Sequence, residues 1–332
     1  MQPSTSESHN HIKHEGKGAI FAAFAANVGI AISKFIAFAF TGATSMLAEA
    51  VHSLADSSNQ ILLLLGGKQS RREPTRTHPF GYGRAHFVYA FMVSIVLFLL
   101  GGAFAIYEGL EKVQHPKMIE APIVAYIVLA IAMLFEGLAL RTALREAKHF
   151  KSRNQNWWQF LRNTKSVNHV VLALEDSAAL TGLSFATVGI SLALLTGNPV
   201  WDGIATLCIG ALLLVVAGIL FREVQSLLIG EAVDDATERR LRKTILSVEE
   251  VDKVVDLKTL YTGPNELFIA MKITVGGRDT AKSVAQAIDE VEARIRRELP
   301  IARLIYVEPD VYKSREEQRQ SDKVIEQSIE DE

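Results

Sequence analysis

The stretch Glu49-Ala-Val-His52-Ser-Leu-Ala-Asp56 places three ionisable groups between two apolar runs, Ser45-Met-Leu-Ala48 and Ile61-Leu-Leu-Leu-Leu65. Their spacing of i, i+3 and i+7 puts Glu49, His52 and Asp56 on one helical face, with His52 and Asp56 a turn apart. An imidazole and a carboxylate at i and i+4 can close on one divalent ion. A second polar break, Glu175-Asp176, also falls inside an apolar run. Adjacent helix positions point about 100° apart, so one of these carboxylates is expected to be a ligand and the other its support. His169 precedes Asp176 by seven residues, about 10 Å along a helix axis, and is read as marking the helix start. Charged groups at membrane depth are costly and face a partner, an ion or a water-filled path. The competing reading is a polar network that only fastens helices, and Lys34, inside an earlier apolar run, fits it as a partner for Glu49.

Six apolar segments carry these residues, at about 18–41, 44–66, 85–110, 122–145, 168–195 and 201–222. Each approaches the roughly 20 residues that a spanning helix needs. Gly42 and Thr196-Gly-Asn-Pro199 mark tight turns between them. Asp202, opening the sixth segment, reads as that helix's N-cap or as an interface anchor. Basic residues gather in the loops at 67–84 and 141–165, which places both termini in the cytoplasm. From 223 to 313 the chain is charge-rich and ordered α-β-β-α-β, with a capping-box start at Asp235-Ala-Thr-Glu238. The fold class is therefore an α-helical membrane protein of six transmembrane helices followed by a small α+β cytoplasmic domain. The polar tails 1–17, with His9, His11 and His14, and 314–332 are expected to be disordered.

Composition narrows the function. A net charge of -2 gives no general attraction to nucleic acid. Cys208 is the only cysteine, which excludes a thiolate metal cluster within one chain. The sequence holds no HExxH, no serine–histidine pairing and no GxxxxGK[ST], so neither an enzyme nor an ATP-driven motor is expected. The N-terminus has no signal- or transit-peptide pattern, which favours a bacterial inner membrane over an organelle.

Ala50-Val-His52-Ser-Leu-Ala-Asp56, His78-Pro-Phe-Gly-Tyr-Gly-Arg84 and Val224-Gln-Ser-Leu-Leu228 together resemble the cation diffusion facilitator family of metal transporters, from about residue 18 to 311. The resemblance implies a tetrahedral site made by an HxxxD or DxxxD pair on the second span and an HxxxD pair on the fifth. His52 and Asp56 match the first pair and Asp176 the second pair's aspartate, whereas its histidine falls on Leu172. Glu175 is the nearest substitute, and Glu-Asp here resembles the branch containing the mitochondrial zinc exporter of animals. A further site of bacterial members falls on Thr75, His78 and Tyr82 and is expected to be lost. Cytoplasmic zinc ligands of bacterial members fall on Val255, Lys272, Tyr306 and Glu308, so no dinuclear zinc site is expected there.

The resemblance thus implies a homodimeric secondary transporter that exports a divalent cation in exchange for protons. His52, Asp56, Asp176 and Glu175 would hold the ion, and no separate cofactor is expected. Nitrogen and oxygen ligands favour zinc, ahead of manganese, cobalt, nickel or ferrous iron. The alternative from another class is a membrane metal sensor or scaffold that transports nothing.

Overall fold

Long apolar runs with few charges dictate helices that satisfy their own backbone groups, the condition for crossing a bilayer. The structure is a computed structural model that describes residues 28–150, 167–275 and 280–310. The chain divides into two units, Met1–Ile229 and Gly230–Glu332. The tail histidines and both polar tails lie outside the described residues.

In the first unit the described helices are α1 (Val28–Thr41), α2 (Thr44–Ser70), α3 (Ala85–Gln114), α4 (Pro122–Phe150), α5 (Val167–Thr196) and α6 (Val200–Ile229). Four contain stretches long and apolar enough to span a membrane: Ala85–Gln114, Pro122–Thr142, Leu174–Thr196 and Val200–Ile229. The described part of α1 is shorter, and α2, although 27 residues long, is diluted by its polar face. Large apolar side chains such as Ile123, Leu134 and Val215 lie exposed on these helices, a surface that lipid would cover. Gly42 and Gly197 adopt positive φ (60° and 68°) at the two expected tight turns. The last helix continues to Ile229, past the boundary at 222 expected from the sequence.

α3 and α6 pack along small residues. A Cβ on Gly109 would sit 2.8 Å from Leu207 Cγ, and one on Gly210 would sit 2.8 Å from the Ile106 amide nitrogen. Such close approach lets backbones meet where lipid supplies no hydrophobic drive between helices. Within α3 the segment Leu97–Ala103 winds as a π-helix.

The second unit runs α7 (Asp235–Leu246), β1 (Val251–Gly263), β2 (Glu266–Val275), α8 (Ala281–Glu298) and β3 (Ala302–Asp310). The sheet order is β1-β2-β3, with β1 antiparallel to β2 and β3 parallel to it across the α8 connection. Leu267, Ile269, Met271 and Ile273 alternate into the core, as do Leu241 and Ile245 of α7 and Val291 and Ile295 of α8. The cap of α7 is Asp234, one residue earlier than the sequence reading. Its carboxylate accepts from the Ala236 and Thr237 amides, both at 3.0 Å. Burial works against its ionisation, but those hydrogen bonds and the Thr237 hydroxyl hold its carboxyl below the ordinary range.

Candidate functional site

The polar face of α2 is buried: Glu49, His52 and Asn59 are all at most 1% exposed. Helical spacing brings the His52 Nε2 and Asp56 Oδ2 atoms to 3.6 Å, so the i, i+4 pair of the sequence forms one edge of a site. Neither ring nitrogen of His52 has a hydrogen-bond partner, nor does Asp56 Oδ1. Buried polar atoms are nearly always satisfied, so a cluster of orphans marks a place built for a partner.

α5 supplies the other edge. Glu175 is buried and accepts a 2.7 Å hydrogen bond at Oε1 from Asn59 Nδ2, a direct tie between α5 and α2. Asp176 keeps Oδ2 buried and unpartnered, as does Asn59 at its own Oδ1. The two neighbours therefore differ as helix geometry requires, Glu175 bonded to α2 and Asp176 with a free acceptor. The Asp56 charge lies close enough to act on both. Among the described residues no three His, Cys, Asp or Glu side chains close to metal-holding geometry. The structure thus brings His52 and Asp56 together and faces them with Glu175 and Asp176 without drawing the four into one coordination sphere.

Glu136 on α4 joins this cluster, and sequence reasoning missed it. It lies within electrostatic range of His52, Asp56, Glu175 and Asp176. The signal was a lone carboxylate inside the apolar stretch Pro122–Thr142. Lys34 is buried and pairs with Glu49 at 3.0 Å, the partner expected for it in a helix-fastening polar network.

Asp202 does not take the first of its two expected roles, the cap of its own helix. Instead of capping its own helix, its buried carboxylate accepts from the Thr44 amide at 2.8 Å, the Thr44 hydroxyl at 3.1 Å and the Ser45 hydroxyl. Helix α2 has no side-chain cap of its own, so α6 provides one across 158 residues. Lys112 of α3 lies 3.8 Å from the same carboxylate and donates to the Gly42 carbonyl at 3.1 Å. These bonds fix one end of the helix that carries His52 and Asp56.

Residues 20–229 match the family model described as the cation efflux transmembrane domain, and residues 233–310 match the one described as the cation efflux protein cytoplasmic domain. The chain is 32% identical over 266 residues to the mitochondrial proton-coupled zinc antiporter SLC30A9 of Xenopus laevis, covering 79% of this chain and 48% of that protein. It is 30% identical to metal tolerance protein C4 of Arabidopsis thaliana, covering 70% and 51% respectively. It is 26% identical to the cation-efflux pump FieF of Pectobacterium atrosepticum, covering 87% and 90%. The chain spans about half the length of the first two relatives and most of the third.

Proposed function

Since the chain belongs to the cation efflux family, whose members transport metal cations, we propose that it exports Zn²⁺ in exchange for protons through the site shared by α2 and α5. The observation that carries this reading is the group of buried, unpartnered acceptors on His52, Asp56 and Asp176. Such groups need a cation or protons to offset their desolvation. A zinc ion and protons both meet that need, and each displaces the other. His52 binds a metal only when neutral and the carboxylates only when ionised, so protonation releases the cargo and cargo binding releases protons. In this reading His52, Asp56 and Asp176 hold the ion, and Glu175 completes the set by exchanging its Asn59 hydrogen bond for the metal. The absence of thiolate and the presence of one imidazole favour zinc, and the SLC30A9 relative's description as a zinc antiporter supports the same choice.

The same reading has α1 and α2 complete six spans with both chain ends in the cytoplasm, and the second unit pairs two copies of the chain. The bacterial inner membrane expected from the sequence stays part of this reading, beside relatives that include the mitochondrial SLC30A9 and FieF of Pectobacterium atrosepticum. Exposure of the site to each side in turn then follows from whichever ligand-bound state is favoured.

Proteoliposomes with an imposed pH gradient test the exchange. Wild type is expected to move zinc, with a proton flux of opposite direction reported by a trapped pH dye. Asp56→Ala should reduce zinc flux by at least about 100-fold, the cost of losing a direct ligand and a proton acceptor together. Wild-type vesicles that carry none of zinc, manganese or ferrous iron would replace the transporter with a sensor or scaffold.

A further inference from the structure

One buried ion pair beside the site takes no part in the exchange just described. Lys34 Nζ on α1 donates to Glu49 Oε2 at 3.0 Å and to Ser53 Oγ at 2.8 Å, with both charged side chains fully buried. Both acceptors belong to α2 and bracket His52, Glu49 one turn before it and Ser53 directly after it. The ammonium therefore grips α2 on either side of the candidate ligand.

The second oxygen of Glu49 points elsewhere. Oε1 is buried without a hydrogen-bond partner, and it fills the space that the missing side chain of Gly182 leaves on α5. A Cβ on Gly182 would collide with Oε1 and lie 3.6 Å from the Glu49 carboxyl carbon. Gly182 follows Asp176 by six residues on the same helix. One carboxylate thus links three helices: Lys34 holds it from α1, its own backbone is α2, and its free edge seats in a notch of α5.

A buried ion pair rarely gains net stability over apolar side chains of similar size, and its best attested use is to fix register. Glu49 is also a poor cargo ligand while an ammonium sits on its other oxygen, because the ammonium repels a second cation. We propose that Lys34, Glu49 and Gly182 form a registry lock that sets the height of α2 against α5. The lock thereby fixes the separation of His52 and Asp56 from Glu175 and Asp176. Lys34 and Glu49 are positioning residues, and the inference rests on the zinc-site reading above.

The test uses purified full-length protein in detergent and in proteoliposomes, with Zn²⁺ as the probe. Gly182→Ala leaves every charge in place but pushes Glu49 out of its notch. The expected result is a zinc Kd and a transport KM raised roughly tenfold, the usual scale for groups that orient metal ligands, with Vmax held. Glu49→Asp, shorter by one methylene, should restore both values when combined with Gly182→Ala. The neutral double variant Lys34→Met/Glu49→Gln should fold, because no charge is left stranded, and should show the same raised Kd. Wild-type Kd and KM in both Gly182→Ala and the double variant would overturn the lock, as would a Gly182→Ala defect that Glu49→Asp does not reduce. Asp56→Ala, measured beside them, separates the two ideas: if it too leaves zinc binding unchanged, the site reading itself has failed.

Discussion

Glu136 shows how a single side chain can come near a candidate site without any spacing to announce it. It has no ionisable neighbour one turn away within Pro122–Thr142, so no i, i+4 pattern points to it. Only the packing of α4 brings its charge within range of both halves of the cluster. If the proposed site holds a divalent cation, an ionised carboxylate there would add negative potential where the cation loses its water, and at low dielectric that potential is weakly screened. Glu136→Gln keeps the shape and removes the charge. We expect its transport KM for zinc to rise about tenfold, equal to a loss of roughly 1.4 kcal/mol, with little change in expression or thermal stability. An unchanged KM would place Glu136 outside the cargo's electrostatic environment.

At the scale of elements, the helix α2 that carries His52 and Asp56 depends on its neighbours for its N-terminus. The Thr44 and Ser45 amides point at Asp202, and Lys112 holds that carboxylate from α3. Asp202→Ala would uncap α2 and leave the Lys112 ammonium without its carboxylate. Together these should cost on the order of 2–4 kcal/mol. Thermal unfolding in detergent should show a lower Tm for Asp202→Ala and a smaller drop for Asp202→Asn, which retains an acceptor oxygen. Equal Tm values for all three proteins would dismiss the interhelical cap. The sequence could not reveal this arrangement. Asp202 directly after Pro199-Val-Trp201 has the local pattern of a cap for its own helix, and nothing nearby says that another helix end is closer. Local signals succeeded where the partner was local or chemically unavoidable. His52 and Asp56 meet by helical period alone, the Gly42 and Gly197 turns require positive φ, and Lys34 had few buried carboxylates to choose from. The Asn59–Glu175 bond and the Gly182 notch depend on how α2 and α5 pack, so their residues were visible but their pairing was not.

For the molecule as a whole, the two units treat charge in opposite ways, and this decides where metal should bind. The first unit gathers carboxylates and an imidazole with atoms left unpartnered, and the ammonium beside them, Lys34, is taken up by Glu49. In the second unit, one position where family resemblance suggests a zinc ligand carries a lysine instead. Lys272 occupies that place on the sheet and bonds Glu308 at 3.1 Å and Asp310 at 3.2 Å, a cation already supplied by the chain. These hydrogen bonds hold the Lys272 ammonium pKa above its ordinary value. A pKa raised by folding gives a contribution fully present below the unfolded value and lost only as pH climbs through the folded one, in the strongly alkaline range. Across about pH 6–8, where transport is measured, Lys272 stays charged and cannot ligate. Zinc binding by the full-length protein should therefore follow the first unit alone. Equilibrium dialysis after chelator treatment should find roughly one zinc per protomer in wild type, almost none in Asp56→Ala, and an undiminished amount in Glu308→Gln. Stoichiometric zinc retained by Asp56→Ala would mean that the cytoplasmic unit binds metal despite its lysine. The exchange proposed for the membrane unit would then have to operate beside a second, independent metal load.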